Sequence, residues 1–283
     1  MLCYYFNMHS LSEHQRVWRQ AMHRYAEQPL LGENGANYFP IREKSMAFLD
    51  TLWKHWEGQD TLDIGALLGA GKDVRVFGDP HFEHANIIRL CDRPFPEVDT
   101  MNDQLWLAIE EAHRDADMVL CVGDWALKNP IFWQRKAFNA YPGKTASVVG
   151  NHDMKNSSPD QWFEAGARAS MVFSVERDWV KSWIASSEPD LVDSVDWKEV
   201  PRHLHVGVSH WPISPRYYPG ANWVNLHGHT HNKPSRPLRM NASVEEIGFV
   251  PRRIQDMFTA ELMDQVVQRQ RGLSGIDDAV LPA

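Results

Sequence analysis

The feature that most constrains the fold is an alternation of short apolar runs and helix-like patterns between residues 73 and 151. The apolar runs predict strands at 74–77, 117–122 and 145–149. Helical patterns fill the intervals at 85–90 and 131–139, and Thr100-x-x-Asp103 suggests the cap of a further helix between them. Successive strand–helix–strand units favour right-handed connections and parallel strands. The sequence therefore predicts an α/β fold.

Regions on either side of this core carry other patterns. Trp18, Ala21, Met22 and Tyr25 recur at helical spacing after a Ser-x-x-Glu capping pattern at residues 10–13. The further predicted elements are a helix at 41–57, a flexible connection at 60–72, strands at 171–175, 204–209, 223–227 and 240–245, a long loop at 176–202, and a helix at 256–271. We thus divide the chain into a helical N-terminal extension (1–72), a central domain (73–255), and a C-terminal helix and tail (256–283). The extension is interpreted as a helical cap, with a substrate-selecting or partner-binding module as the alternative.

Charge and cysteine content narrow the class of protein. The chain has 283 residues and a net charge of −8, which does not indicate a broad basic face for duplex nucleic acid. Cys3, Cys91 and Cys121 form no disulfide framework, and Cys121 lies in an apolar run typical of a buried thiol. Neither a secretory leader nor an apolar run of the ~20 residues needed to span a membrane is recognisable. The expected location is the cytoplasm, with no membrane partner.

Five short stretches carry metal-binding side chains where strands are predicted to end. They are Gly-Asp-Pro-His (78–81), Gly-Asp-Trp (123–125), Gly-Asn-His-Asp (150–153), Ser-His-Trp (209–211) and Gly-His-Thr-His (228–231). Open α/β sheets bind ligands beyond the carboxyl ends of their strands, and Gly lets the backbone turn tightly there. A single Asp or His in such a place is more often a cap or a packing residue. Together, the mixed His, Asp and Asn donors predict a hydrolytic centre with two borderline transition-metal ions.

These stretches resemble the motif set of the calcineurin-like metallophosphoesterases, which reads D-x-H, G-D, G-N-H-[DE], a lone His and G-H-x-H. The resemblance covers roughly residues 73–251. It implies a four-layer α/β/β/α sandwich for the central domain, to which the N-terminal helical region is an addition. It also implies two divalent transition-metal ions as cofactors, with Mn²⁺ expected first and Fe, Zn or Ni as alternatives.

The same resemblance implies roles for individual residues. One metal ion would be held by Asp79, His81, Asp124 and His231. The other would be held by Asp124, Asn151, His210 and His229, so that Asp124 bridges the pair. His152 would be the catalytic group that stabilises the developing charge or protonates the departing oxygen, and Asp153 would orient His152. A hydroxide between the two metals would attack phosphorus.

A narrower likeness concerns a small bacterial and phage branch of the family. Its pattern H-F-G-H-x-N-I-I, R-P-F, M-N and N-V-S-V-E is similar to residues 81–88, 93–95, 101–102 and 240–245 here. Glu83 replaces the usual Gly of that pattern. His84 and Arg93 are candidate substrate contacts, although a helix-cap or packing role for His84 and a structural ion pair for Arg93 are alternatives. Trp125 and Trp211 are expected to pack in the core rather than to stack on a base.

The predicted function is therefore a binuclear metal-dependent phosphoesterase for small phosphorylated or nucleotide-type substrates. Phosphodiesters are preferred, because no dense basic pocket for a dianionic monoester is evident. The alternatives are a phosphomonoesterase or a nuclease using the same site, or a non-catalytic scaffold of the same fold. The sequence does not specify an oligomeric state.

Overall fold

A computed structural model describes residues 8–27, 41–233 and 236–272, with side chains described from residue 13 onward. The α-helices in these ranges are α1 (Met8–Ala26), α2 (Glu43–Trp56), α3 (Ile64–Gly69), α4 (Ala85–Leu90), α5 (Val98–Asp115), α6 (Pro130–Ala140), α7 (Pro159–Glu164), α8 (Arg177–Ser187) and α9 (Ala260–Gln270). The strands are β1 (Val74–Phe77), β2 (Met118–Cys121), β3 (Thr145–Val148), β4 (Ala167–Arg168), β5 (Met171–Glu176), β6 (His203–Val208), β7 (Trp223–His227), β8 (Arg239–Asn241) and β9 (Arg252–Arg253). The prediction of an α/β fold is confirmed.

The first sheet has the strand order β4-β3-β2-β1-β9. Strands β1 to β4 are parallel, and only the short β9 runs antiparallel to its neighbour. Strands β2 and β3 are buried along their whole length, as expected for parallel strands covered on both faces. The carboxyl ends of β1, β2 and β3 therefore lie side by side, and the chain leaves them at Gly78, Gly123 and Gly150.

The second sheet has the order β5-β6-β7-β8, in which β5 is antiparallel and the other strands are parallel. An isolated bridge pairs Gly78, just after β1, with Ser243, just after β8. The predicted strand at 240–245 ends at Asn241, and the residues that follow turn toward the first sheet. The polar ends of the two sheets thus meet in one place.

Helices α1 and α3 pack on the second sheet, whereas α2 packs on α7 and on β4 of the first sheet. Trp18 of α1 is fully buried and stacks on Trp223 of β7, with ring centroids 5.6 Å apart. A Cβ atom at Gly207 would overlap the Trp18 ring, so this glycine makes room for α1. Both predicted helices are confirmed, and one hydrophobic cluster extends from Trp18 to Val267. The boundary at residue 72 stays a prediction, and the capping pattern at 10–13 lies outside the described side chains.

Replacing Trp18 by Ala should lower the free energy of unfolding by about 3–5 kcal/mol, because it leaves a large cavity between helix and sheet. Urea denaturation followed by circular dichroism measures the change. Phe132→Ala is the matched control, since the Phe132 side chain is 53% exposed. A loss no larger for Trp18→Ala than for the control would show that α1 contributes nothing to the core.

Three local predictions were wrong. The connection at 60–72 contains α3, whose first turn is capped by Asp63 accepting from the Ala66 N–H. The long loop at 176–202 contains α8, because Val180 and Ile184 are spaced to bury one helical face. Helix α5 begins at Val98 without a side-chain cap, so Thr100 lies inside it.

The C-terminal helix begins later than predicted. Residues Ile254–Met257 form a 3-10 turn, and α9 starts only after Thr259, whose side chain accepts from the Leu262 N–H. Trp183 of α8 packs against Phe258 at a centroid distance of 5.5 Å, which joins the two regions. Within the ranges that the structure describes, no helix combines the length and apolar character needed to cross a bilayer.

Candidate metal centre

The turns that carry the candidate ligands adopt an unusual backbone conformation. Non-glycine residues seldom have positive φ angles, and such strain collects at functional sites. Five candidate ligands have φ angles between 50° and 69°, namely Asp79, His81, Asp124, His229 and His231. The fold thus tolerates local strain at these turns. The strained backbone conformation directs the five side chains toward a common site.

Two glycines allow the turns to approach each other. A Cβ atom at Gly228 would overlap the Asp79 carboxylate, and one at Gly150 would overlap the Asp124 carboxylate. Both contacts join residues from different turns. The close approach predicted for the glycines of the motifs therefore occurs at these two positions.

The first group of candidate ligands is Asp79, His81 and His231, each offering an atom within 4.8 Å of the others. Asp79 Oδ2 accepts from the His229 N–H and from Ser243 Oγ, both at 2.8 Å. Its Oδ1 is left without a hydrogen bond, 3.7 Å from His81 Nε2, and both His81 ring nitrogens are buried and unbonded among the described residues. Buried polar atoms without partners are costly, and a cation between them would remove that cost.

The second group is Asp124, His210 and His229. His210 Nδ1 lies 3.0 Å from the Val122 carbonyl, which only accepts, so Nδ1 carries a hydrogen and Nε2 presents a lone pair in the neutral ring. That Nε2 faces His229 Nδ1 at 2.9 Å and Asn151 Oδ1 at 3.1 Å. Burial opposes a charge on His210, but the Asp124 carboxylate outweighs it and raises the pKa of His210 to about 9. In the metal-free protein at pH 7, His210 Nε2 therefore holds a second proton that faces Asp124, and a metal cation bound there would replace this proton.

Asp124 lies between the two groups. Its Oδ2 is 3.3 Å from His210 Nε2 and 3.6 Å from His81 Nε2. Its Oδ1 accepts from the His152 N–H at 2.8 Å. Although burial favours the neutral acid, the nearby His210 and His81 imidazoles hold the pKa of Asp124 well below its usual range. The unbonded Asp79 and His81 atoms on one side of this carboxylate, and the converging His210, His229 and Asn151 atoms on the other, fit two cations that share it.

His152 borders the same space. Its ring centroid is 5.0 Å from that of His81, and its Nδ1 is 3.2 Å from Lys155 Nζ. Because the Lys155 ammonium can only donate, Nδ1 accepts and the hydrogen of the neutral ring lies on Nε2. Burial lowers the pKa of His152 to about 4, so the ring is neutral at pH 7. One His152 nitrogen also lies within 4.8 Å of candidate ligand atoms of His81 and Asp124.

Asp153 is placed differently from expectation. Its fully buried carboxylate accepts from the backbone N–H groups of Asp124 at 2.7 Å, Trp125 at 2.8 Å and Gly150 at 2.8 Å. Burial, and then the Asp124 carboxylate, raise the pKa of Asp153 to about 7 against the effect of these donors. Asp153 therefore fastens the turn after β2 to the turn after β3, whereas the predicted contact with His152 is replaced by that of Lys155.

Arg93 also has a different role from the predicted substrate contact. Its side chain is inaccessible to solvent, and its guanidinium donates to the carbonyl oxygens of Pro80 at 2.8 Å and Asp79 at 2.7 Å. It also forms two hydrogen bonds to Glu245 Oε1, at 2.9 and 2.7 Å. A guanidinium held in this way cannot reach a substrate phosphate, so the structural ion pair is the correct interpretation.

His84 faces the centre. Its ring lies 5.5 Å from that of His81 and 6.3 Å from that of His152, and it makes no side-chain cap bond at the start of α4. Its Nδ1 is buried without a hydrogen-bond partner among the described residues, and burial lowers its pKa to about 4. The predicted contact between His84 and substrate stays a prediction. Trp125 and Trp211 are buried, as expected for core residues.

Sequence reasoning missed Ser243, Glu245 and Lys155 as parts of the site. Residues 240–245 are similar to the N-V-S-V-E strand of the family branch, and this similarity is the sequence signal for Ser243 and Glu245. Glu245 also belongs to a further candidate ligand group, with Cys91 and His231. The Arg93 guanidinium, 2.7 Å from Glu245, already supplies the positive charge there, so this group is a poor place for a further cation.

Comparison with known proteins assigns no activity. No protein-family model matches the chain. A curated relative, the uncharacterized protein MJ1445 of Methanocaldococcus jannaschii, is 37% identical over 83 residues, which is 29% of this chain. The chain spans about half of that relative, 47% of its length. A solved structure of a protein of unknown function, AQ665 from Aquifex aeolicus, is 19% identical with a TM-score of 0.40, covering 65% of this chain and 97% of that one.

Proposed function

We propose that the chain is a binuclear metal-dependent phosphoesterase of the calcineurin-like type. The observation that carries the proposal is the convergence of two ligand groups on Asp124. Asp79 Oδ1 and both His81 ring nitrogens are buried and unbonded on one side, and His210 Nε2 faces Asn151 Oδ1 and His229 Nδ1 on the other. Two mixed sheets whose polar ends meet also support the four-layer α/β/β/α sandwich, with α1–α3 as its N-terminal addition.

The residues divide the work. When bound, two divalent transition-metal ions, Mn²⁺ first among the candidates, would supply Lewis acidity toward a phosphoryl group. Asp124 would stand between them, with His81 on one side and His210 on the other. The neutral His152 ring would donate a hydrogen bond from its Nε2–H to the departing ester oxygen and stabilise the charge that develops there. Asp153 would hold the two turns that carry Asp124 and His152 at a constant separation.

The cations around the site favour a phosphodiester over a monoester. A dianionic monoester is commonly bound by a bidentate guanidinium. Arg93 is buried, however, and its guanidinium already donates to Glu245 and to two backbone carbonyls. Lys155 lies beside His152, but its ammonium is committed to that ring. We therefore infer a monoanionic, nucleotide-type diester as substrate. The net charge of −8 argues against a duplex substrate, so nuclease activity is the weaker alternative.

The purified protein should bind two equivalents of transition metal and should hydrolyse bis-p-nitrophenyl phosphate faster than p-nitrophenyl phosphate. Chelation should abolish both activities, and added Mn²⁺ should restore them, because the buried ligand groups require cations to act. Elemental analysis and absorbance at 405 nm (the p-nitrophenolate band) give the two readouts. One equivalent or none after Mn²⁺ loading, or hydrolysis that survives chelation, would contradict the binuclear proposal.

A scaffold role makes a different prediction for the same experiment. Two bound metals with no hydrolysis of either ester or of cyclic nucleotides would favour the non-catalytic alternative. The presence of both Asp124 and His152 in the site is the reason that we place hydrolysis first.

A further inference from the structure

A buried chain of charged groups lies behind the first ligand group. His231 Nδ1 is 3.1 Å from Glu245 Oε1, and the Glu245 side chain is only 4% exposed. The same carboxylate oxygen accepts two hydrogen bonds from Arg93, whose side chain is fully buried. Arg93 and Glu245 are 152 positions apart in the sequence, so only the tertiary fold brings them together.

The chain of contacts links two ligand-bearing turns. On one side, the Arg93 guanidinium holds the carbonyl oxygens of Asp79 and Pro80, immediately before His81. On the other side, Glu245 holds the imidazole of His231. Through one ion pair, Arg93 therefore fixes the separation of Asp79, His81 and His231, which are the three members of the first ligand group.

The contact with Glu245 also decides which His231 nitrogen is available. A carboxylate accepts hydrogen bonds, so His231 Nδ1 carries the hydrogen and its Nε2 keeps the lone pair. Partners of this kind orient metal-binding imidazoles and increase their basicity. In the second ligand group, the His210 ring is oriented by a backbone carbonyl, that of Val122, and not by a carboxylate. Loss of Glu245 should consequently affect one metal position and not the other.

We infer that Arg93 and Glu245 are positioning residues that set the affinity of the first metal position, held by Asp79, His81, Asp124 and His231, without touching metal or substrate. The inference rests on the proposed binuclear function. It predicts that altering the Arg93–Glu245 ion pair weakens metal binding at the first position and leaves the affinity of the second position unchanged.

The test is calorimetric titration of the metal-free protein with Mn²⁺. Glu245→Gln keeps the size of the side chain but removes its charge, and it should weaken one site by roughly 10–100-fold while the other changes little. Saturating Mn²⁺ should then return the activity of this variant toward the wild-type value, because the variant acts through affinity. Glu246→Gln is the matched control, since the neighbouring Glu246 is exposed and makes no contact with His231 that the structure records.

Arg93→Lys provides a second variant if Glu245→Gln fails to fold. It keeps the positive charge but loses the planar fork that holds both turns, and it should weaken the same single site. Unchanged affinity at both sites, or an equal loss at both sites, would overturn the inference. A wild-type protein that binds no Mn²⁺ would instead overturn the proposed function.

Discussion

His152→Ala should lower kcat for a diester with a poor leaving group, such as diphenyl phosphate, by roughly 10²–10³-fold, the range typical of a lost hydrogen-bond donor to a developing oxyanion. The reason is that Lys155 occupies His152 Nδ1 and leaves the hydrogen on Nε2. The metal content should stay at the wild-type value, because the substitution alters none of the implied metal ligands. Steady-state kinetics and elemental analysis on the same preparation measure both quantities.

The leaving group makes this prediction specific. A p-nitrophenolate delocalises its own charge and needs little stabilisation by a hydrogen-bond donor, so the loss for bis-p-nitrophenyl phosphate should be clearly smaller than for diphenyl phosphate. Lys155→Met is a companion variant that keeps the His152 ring but removes the donor at Nδ1. It should reproduce part of the difference in kcat loss between the two esters. Loss of a metal ion from His152→Ala would show that His152 is a ligand, as its position within 4.8 Å of His81 and Asp124 ligand atoms also permits.

Asp124→Asn should lower the affinity for Mn²⁺ at both positions together, by roughly 10²-fold or more at each, and activity should fall with it. Removing one partner of a buried charge pair costs about 3–5 kcal/mol, and Asp124 is the carboxylate that both ligand groups approach. The Asn side chain can still accept from the His152 N–H, so the turn should survive. Calorimetric titration with Mn²⁺ measures the two affinities.

Asp160→Asn makes the same chemical change on a side chain that is 70% exposed, and it should leave both affinities unaltered. Thermal unfolding of the metal-free proteins checks that Asp124→Asn has kept the fold. If only one Mn²⁺ position weakens in Asp124→Asn, Asp124 serves a single metal and the shared-carboxylate arrangement is wrong.

Secondary structure was predictable where the pattern of neighbouring residues decides it. The strand-like runs before Gly78, Gly123 and Gly150 became parallel strands, and the run before Gly123 is the uninterrupted apolar stretch expected of a strand that is buried on both faces. The region 176–202 was misjudged, since its charges and Trp residues conceal a helix whose buried face rests on only a few apolar side chains such as Val180 and Ile184. Amphipathic helices of this length depend on what they pack against.

The site divides in the same way. Its motifs are local, because Gly, Asp and His occupy fixed offsets after each strand, and they were recognisable without a structure. The partners of the site residues are not local. Ser243 donates a hydrogen bond to Asp79, 164 positions away in the sequence. Arg93 donates to Glu245, 152 positions away, and is therefore a buried structural residue instead of the predicted substrate contact.

The sequence by itself determined most of the strands, the turns at their ends and the donor atoms that these turns present. Only the tertiary structure decided which donor faces which, that Asp153 fastens two turns rather than orienting His152, and that Lys155 takes that contact instead. The physical reason is the sequence distance over which each kind of interaction acts. Backbone propensity depends on a few adjacent residues, whereas a long polar side chain bonds to whichever group the completed fold brings within about 3 Å.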